Sequence, residues 1–196
     1  FPDNGEVPMA GMSNSDDTRI GRPIEELDTP TLLLDQAASD RNLARMADFF
    51  RDRPSKLRPH FKNHKCVTLA KRQMLAGAVG MTCAKLGEAE VLVDNGFRDV
   101  LIANQVVGAA KVERLVRLAK RARIAVAVDH IDQAEAISLA AVAARTIVRL
   151  LIEVDIGMGR CGIPNSESVL QLAKKLAAMP GVEFGGLQAY EGHLVN

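Results

Sequence analysis

The sequence predicts an α/β protein with parallel strands covered by helices, and a (β/α) barrel is favoured over an open, doubly wound sheet. Three observations predict it. Short apolar runs alternate with segments of helical period along most of the chain, and the connections between them are short. Polar groups also recur where the apolar runs end, at Lys62, Asn104-Gln105, Asp129-His130, Asp155 and Tyr190. In a barrel those ends share one mouth, where such folds carry their chemistry.

Residues 1–27 are rich in Gly, Pro, Asp, Asn and Ser without a sustained period and read as a flexible leader. Pro30 then opens the run Thr31-Leu-Leu-Leu-Asp35, which reads as a strand. Leu43, Met46, Ala47 and Phe50 follow at i, i+3, i+4 and i+7, which reads as a helix. The unit repeats: strand Leu57–Phe61 with helix Val67–Ala76, strand Val79–Ala84 with helix Leu86–Asp94, and strand Val100–Ala103 with helix Ala110–Arg121. Strand Ile124–Val128 precedes a helix running to about Ala144, where Asp132 and Glu135 have capping-box spacing. Strand Thr146–Val154 leads through a glycine-rich loop to helix Glu167–Ala178, and Val182–Ala189 reads as a last strand. A complete barrel needs roughly 250 residues. The chain opens on Phe1 and ends at Asn196, so it reads as truncated before the last barrel strands.

Composition narrows the function. At 47% hydrophobic and 25% charged, the 196 residues suit one soluble core, and no apolar run is long enough to span a bilayer. With no secretory signal pattern, the cytoplasm is the expected compartment. A formal net charge of +1 and a single tyrosine give no electrostatic or stacking case for nucleic acid, and none for an anionic membrane. Cys66, Cys83 and Cys161 match neither a zinc spacing nor a disulfide framework and read as reduced, buried thiols.

Two segments carry the candidate chemistry. In Arg58-Pro-His-Phe-Lys-Asn-His-Lys65, Pro59 disfavours helix at Arg58, so Lys62 falls at a strand's C-terminal end. Crowding by Arg58, His60, His64 and Lys65 would weaken its ammonium form, as an amine that attacks a carbonyl requires. His60 and His64 read as site lining rather than metal ligands. In Glu153-Val-Asp-Ile-Gly-Met-Gly-Arg-Cys-Gly162, the glycines satisfy G-x-G-x-x-G literally, yet Pro164 and Asn165-Ser166 put the helix start after the run. A dinucleotide site needs that start inside it. The loop instead delivers Arg160, either to hold an oxyanion at the mouth or to form a surface salt bridge with Asp155 or Glu153. Asn104 and Gln105 either hydrogen-bond a ligand or cap the following helix.

With both segments in place, the chain resembles the D-threonine aldolase and D-serine dehydratase family, within the alanine-racemase-like fold of pyridoxal-phosphate enzymes. The matching residues are Asp28–Asp35, Arg58–Lys65, Ala84–Glu90, Leu101–Gln105, Asp155–Gly162 and Gly186–Tyr190. The resemblance implies a partial barrel of the alanine racemase N-terminal type over 39–196. It implies that residues 28–38 form a strand of a separate, mainly C-terminal β-domain. It further implies that Lys62 carries the Schiff-base linkage to pyridoxal 5'-phosphate, that Arg160 contacts the cofactor's phenolic oxygen, and that Tyr190 lies beside the pyridine ring. A divalent metal, Mn or Zn, is expected in the full-length protein with its ligands near the C-terminus, and no metal ligand is assigned here. His193 is a candidate base for a β-hydroxyl proton, or else a structural histidine. The expected reaction is cleavage of a D-β-hydroxy amino acid, a small-molecule substrate, to glycine and an aldehyde by a homodimer. A D-serine dehydratase, a racemase and a non-catalytic cofactor carrier are the alternatives, and the chain alone is expected to be inactive.

Overall fold

The computed structural model describes residues 20–194. The described residues divide into two units at the Ser39–Asp40 junction. Residues 1–19 of the expected leader lie outside the described residues. In the first unit a 3-10 turn at Ile24–Glu26 leads to an extended segment in which Leu32, Leu33 and Leu34 are exposed. The strand expected at Thr31–Asp35 has no partner among the described residues: the segment joins no ladder there, and a strand exists only through its partner's N–H and C=O groups. Helix α1, Gln36–Arg51, begins inside the range 28–38, with the Asp35 carboxylate accepting the Ala38 N–H at 2.8 Å.

The second unit has one sheet of five parallel strands in sequence order: β1 (Met81–Cys83), β2 (Asp99–Gln105), β3 (Arg123–Val128), β4 (Val148–Val154) and β5 (Val182–Ala189). Between them run α3 (Leu86–Asp94), α4 (Ala109–Ala119), α5 (Ile131–Ala144) and α6 (Ser166–Ala177), after α2 (Val67–Leu75). The strand order never reverses, so the sheet has no topological switch point. Helix α4 touches both α3 and α5, as helices on one side of a sheet do. This is the winding of a barrel, and the described part is a portion of one.

Strand alternation explains the layering. Val100 and Ile102, Ile124 and Val126, and Val148, Leu150 and Ile152 are buried together with Leu92, Leu115, Ile137 and Leu176 of the helices. Burying each such side chain contributes on the order of 2 kcal/mol. The alternate residues form the sheet's other face. Near the strand starts, Arg58, Asp99, Arg123 and Arg149 surround a cavity of about 200 Å³ floored by Leu101, Ala125 and Leu151.

Two further expectations change. The strand Leu57–Phe61 shrinks to one bridge, His60 to Thr82, flanked by N–H donation from Val79 to the Leu57 carbonyl and from Thr82 to the Pro59 carbonyl. Pro59 has no N–H to extend the ladder, and Phe61 already turns into a 3-10 helix. The capping box at Asp132 is also absent: α5 starts at Ile131, so His130 is the N-cap and its Nδ1 accepts the Asp132 N–H at 3.3 Å.

Candidate active site

Lys62 sits in the 3-10 helix Phe61–Asn63, just past the bridge at His60. Phe61 anchors this turn with a ring that is 2% exposed and packs edge-on against His64 at 5.5 Å. Nδ1 of His60 accepts the Lys62 N–H at 3.2 Å, and Nδ1 of His64 accepts the Cys66 N–H at 3.0 Å. The other His64 nitrogen lies 3.3 Å from Gln73 Oε1 on α2. The two histidines thus close the turn rather than simply line a site. Lys65, in the left-handed region at φ 47°, turns its Nζ to Glu88 at 3.3 Å, and Glu88 also accepts the Ala84 N–H at 2.9 Å. Burial raises the Glu88 pKa, but the Ala84 N–H and Lys65 outweigh it and hold the carboxyl below its usual range.

The expected crowding of Lys62 is only partly present. Arg58 turns the other way, toward Asp99 Oδ1 at 2.8 Å, at the strand starts. Each extended residue carries the chain about 3.3 Å onward, so a basic residue four positions back is no neighbour. Lys65 is committed to Glu88. The Lys62 side chain is exposed, and its amine pairs with no carboxylate among the described residues.

Arg160 is exposed on the loop after β4, with its guanidinium carbon 5.0 Å from the centre of the Tyr190 ring, which follows β5. The salt bridge to Asp155 or Glu153 is not formed among the described residues. Asp155 instead accepts the N–H groups of Gly157 and Gly159, both at 3.0 Å, and the Gly159 contact foremost holds its carboxyl below the usual range. Helix α6 starts after the glycines, with Asn165 as N-cap, so the dinucleotide geometry is indeed absent. His193 lies in a 3-10 turn, Gly192–Leu194, against the same loop: a Cβ on Gly157 would meet its Nε2 at 3.1 Å.

The loop has a buried foundation. Glu153, 3% exposed, accepts the Gln105 amide at 2.7 Å on Oε2 and the Cys161 thiol at 3.2 Å on Oε1. Asp129 accepts the same Gln105 amide at 3.1 Å and the Gly162 N–H at 3.1 Å, and Gln133 donates to it at 2.9 Å. Burial, and then Glu153, push the Cys161 thiol up, while the Cys161 sulfur beside Arg160 raises the guanidinium further. A register shift in β2 after Ile102 brings Gln105 level with Ala127. The capping role expected of Asn104 and Gln105 does not hold: Gly108 is the N-cap of α4, and Asn104 donates to the Ala84 carbonyl at 3.2 Å. Sequence reasoning missed Glu88 and saw Glu153 only as a salt-bridge partner for Arg160. The signal for Glu153 was its phase with Arg149 and Leu151 on the sheet's other face.

A cavity of about 600 Å³ lies between α5 and α6 and is lined by Asp129, Gly162, Pro164 and Lys175, not by Lys62 or Arg160. The candidate site is therefore defined by side-chain chemistry at the strand ends. An unpaired amine there can attack a carbonyl, and a guanidinium over a ring can hold an oxyanion.

Residues 34–194 match the family described as alanine racemase, N-terminal domain. The chain belongs to that family. Among members of the alanine racemase N-terminal domain family, it is 44% identical over 184 residues to the D-threonine aldolase of Arthrobacter sp, covering 94% of this chain and 48% of that enzyme. It is 40% identical over 174 residues to the 3-hydroxy-D-aspartate aldolase of Paracoccus denitrificans, covering 88% and 45%. The crystal structure of D-threonine aldolase from Filomicrobium marinum superposes with a TM-score of 0.85 at 46% identity, over 87% of this chain and 46% of that one. The chain spans about half the length of the curated relatives it matches.

Proposed function

We propose that the chain is the cofactor-bearing barrel portion of a pyridoxal-phosphate lyase that cleaves D-configured β-hydroxy amino acids to glycine and an aldehyde. The observation that carries this reading is the Lys62 amine, without a carboxylate partner among the described residues, at the C-terminal ends of the strands, where the Arg160–Tyr190 pair also lies, in a chain 44% identical to a D-threonine aldolase. The residues fit the cofactor: an amine without a carboxylate partner suits an aldehyde, and a fixed cation suits a phenolic oxygen. When bound, the cofactor supplies delocalisation of the electrons left at the α-carbon as the Cα–Cβ bond breaks.

In this reading Lys62 anchors the cofactor covalently, Arg160 binds its phenolic oxygen, and Tyr190 keeps the guanidinium aligned. His193, against the Arg160 loop, takes the proton from the substrate's β-hydroxyl. A metal belongs to the proposal for the whole protein only: among the described residues no group of three or more His, Cys, Asp or Glu is arranged to hold one, and no step here is routed through it. Pairing of two copies belongs to it as well, as does a β-domain strand formed by the exposed Leu32–Leu34 segment. No described helix is long and apolar enough to cross a membrane.

Borohydride reduction of the chain loaded with pyridoxal phosphate tests the central assignment. Peptide mapping is expected to find the tag on Lys62, with none in Lys62→Ala. A tag on Lys65 or Lys85 overturns it.

A further inference from the structure

We propose that His60 is the positioning residue for Lys62, its neutral imidazole accepting the Lys62 backbone N–H and so setting the turn from which the lysine side chain departs. The relevance to catalysis rests on reading Lys62 as the cofactor-bearing amine, whereas the turn is a property of the chain alone. His60 is the last residue tied to the sheet, through its bridge to Thr82, with extended backbone at φ −99° and ψ 117°. Phe61, directly after it, is fixed in the core. Between these two fixed points the Lys62 N–H is a helix-start donor without a helical acceptor, and Nδ1 of His60 supplies one at 3.2 Å.

An Nδ1 acceptor requires its lone pair, so the proton must be on Nε2, and an imidazolium cannot make this bond. The same i to i+2 closure recurs at His64 with Cys66 and at His130 with Asp132. The charged groups facing His60 are Lys62 of its own turn and Glu88 of α3, the latter already engaged by Lys65 and the Ala84 N–H. Burial foremost, and then the Lys62 charge, hold the His60 pKa below the ordinary histidine range, with Glu88 acting in the opposite direction. The sign follows from that lowering. The stability drawn from the ring is complete above the unfolded value near 6.5. It declines as pH falls from there to the lower folded value, where the ring protonates and the turn opens.

Asparagine can offer a side-chain oxygen to the N–H two residues on and does not titrate, whereas leucine offers no acceptor. The test uses the whole chain without cofactor, labelled with ¹⁵N at lysine and histidine. The wild type is expected to show the Nε2–H tautomer at His60 and a protected Lys62 amide whose protection falls as pH drops below about 6.5. In His60→Leu the Lys62 amide should exchange about five-fold faster, as for one lost hydrogen bond. In His60→Asn protection should persist and lose its pH dependence. An Nδ1–H tautomer in the wild type overturns the proposal, and that measurement stands even if His60→Leu fails to fold. Unchanged protection in His60→Leu overturns it too. On adding cofactor, borohydride tagging of Lys62 should be retained in His60→Asn and reduced about five-fold in His60→Leu. If tagging fails in every variant while amide protection follows the expected pattern, the turn is upheld and the cofactor reading falls.

Discussion

The two cationic side chains of the candidate site are held by opposite means. Lys62 stands on a single 3-10 turn closed by two imidazole Nδ1 acceptors, while Arg160 stands on a loop whose following residues, Cys161 and Gly162, are fastened to the carboxylates of Glu153 and Asp129. The difference suits the role proposed for each group. A lysine that attacks a carbonyl has to give up its proton, and an adjacent carboxylate would stabilise the ammonium form and hinder that. Arginine stays charged at any working pH, so carboxylates can support its loop at no chemical cost. Glu88 shows the same division within the first region, since its carboxylate engages Lys65 rather than Lys62.

The largest break in the comparison is expected at Gln105. Its amide alone donates to both Asp129 and Glu153, so Gln105→Leu removes a donor from two carboxylates at once. The expected loss is about 3 kcal/mol, read from the urea midpoint. The Lys62 amide protection should be unaffected, because no part of that turn touches the network. Equal loss of protection at Lys62 would show that the two regions are one unit.

A smaller effect separates the glycines of the Arg160 loop. At Gly162, with φ 100°, an added Cβ would sit 2.6 Å from the Asp155 nitrogen and 2.8 Å from the Val154 carbonyl carbon, backbone atoms that cannot swing aside. Gly162→Ala is expected to cost about 2–3 kcal/mol and to shift the loop. Gly159, at φ 65°, meets nothing within 4 Å, so Gly159→Ala should cost only about 1 kcal/mol, the left-handed backbone penalty itself. Thermal melts of the two variants check the order, and equal losses would mean that the loop is not anchored at Gly162.

How far the site could be read in advance follows the range of the forces that build it. Helices α2 to α6 were legible within a residue or two because apolar period and caps are local properties of the chain. The segment Thr31–Asp35 has the composition of a strand and joins no ladder among the described residues, since a ladder depends on a partner elsewhere. Lys62 and Arg160 were legible as residues. Their supports were not, because the register shift that sets Gln105 beside Glu153, and the direction in which Arg58 leaves the chain, exist only in the assembled sheet. His60 was seen for its position next to Lys62, whereas its function as a hydrogen-bond acceptor needed the turn itself.

The smallest expected effect tests the same division through the cysteines. Cys83 is fully buried, and its thiol is pushed up to about 12 by burial first and Glu88 second. Cys161 is half-buried and raised by burial and by the Glu153 carboxylate that accepts its S–H. Cys66, also half-buried, is the N-cap residue of α2 and donates its backbone N–H to the Lys62 turn. Since the thiolate is the reactive form, iodoacetamide at pH 8 should alkylate Cys161 slowly and Cys83 only on unfolding. Glu153→Gln removes the charge that holds the Cys161 proton and should speed alkylation there about three-fold, leaving Cys66 unchanged. If Cys66 accelerates as well, the carboxylate foundation reaches across the sheet to the lysine turn, and the two regions are not held independently.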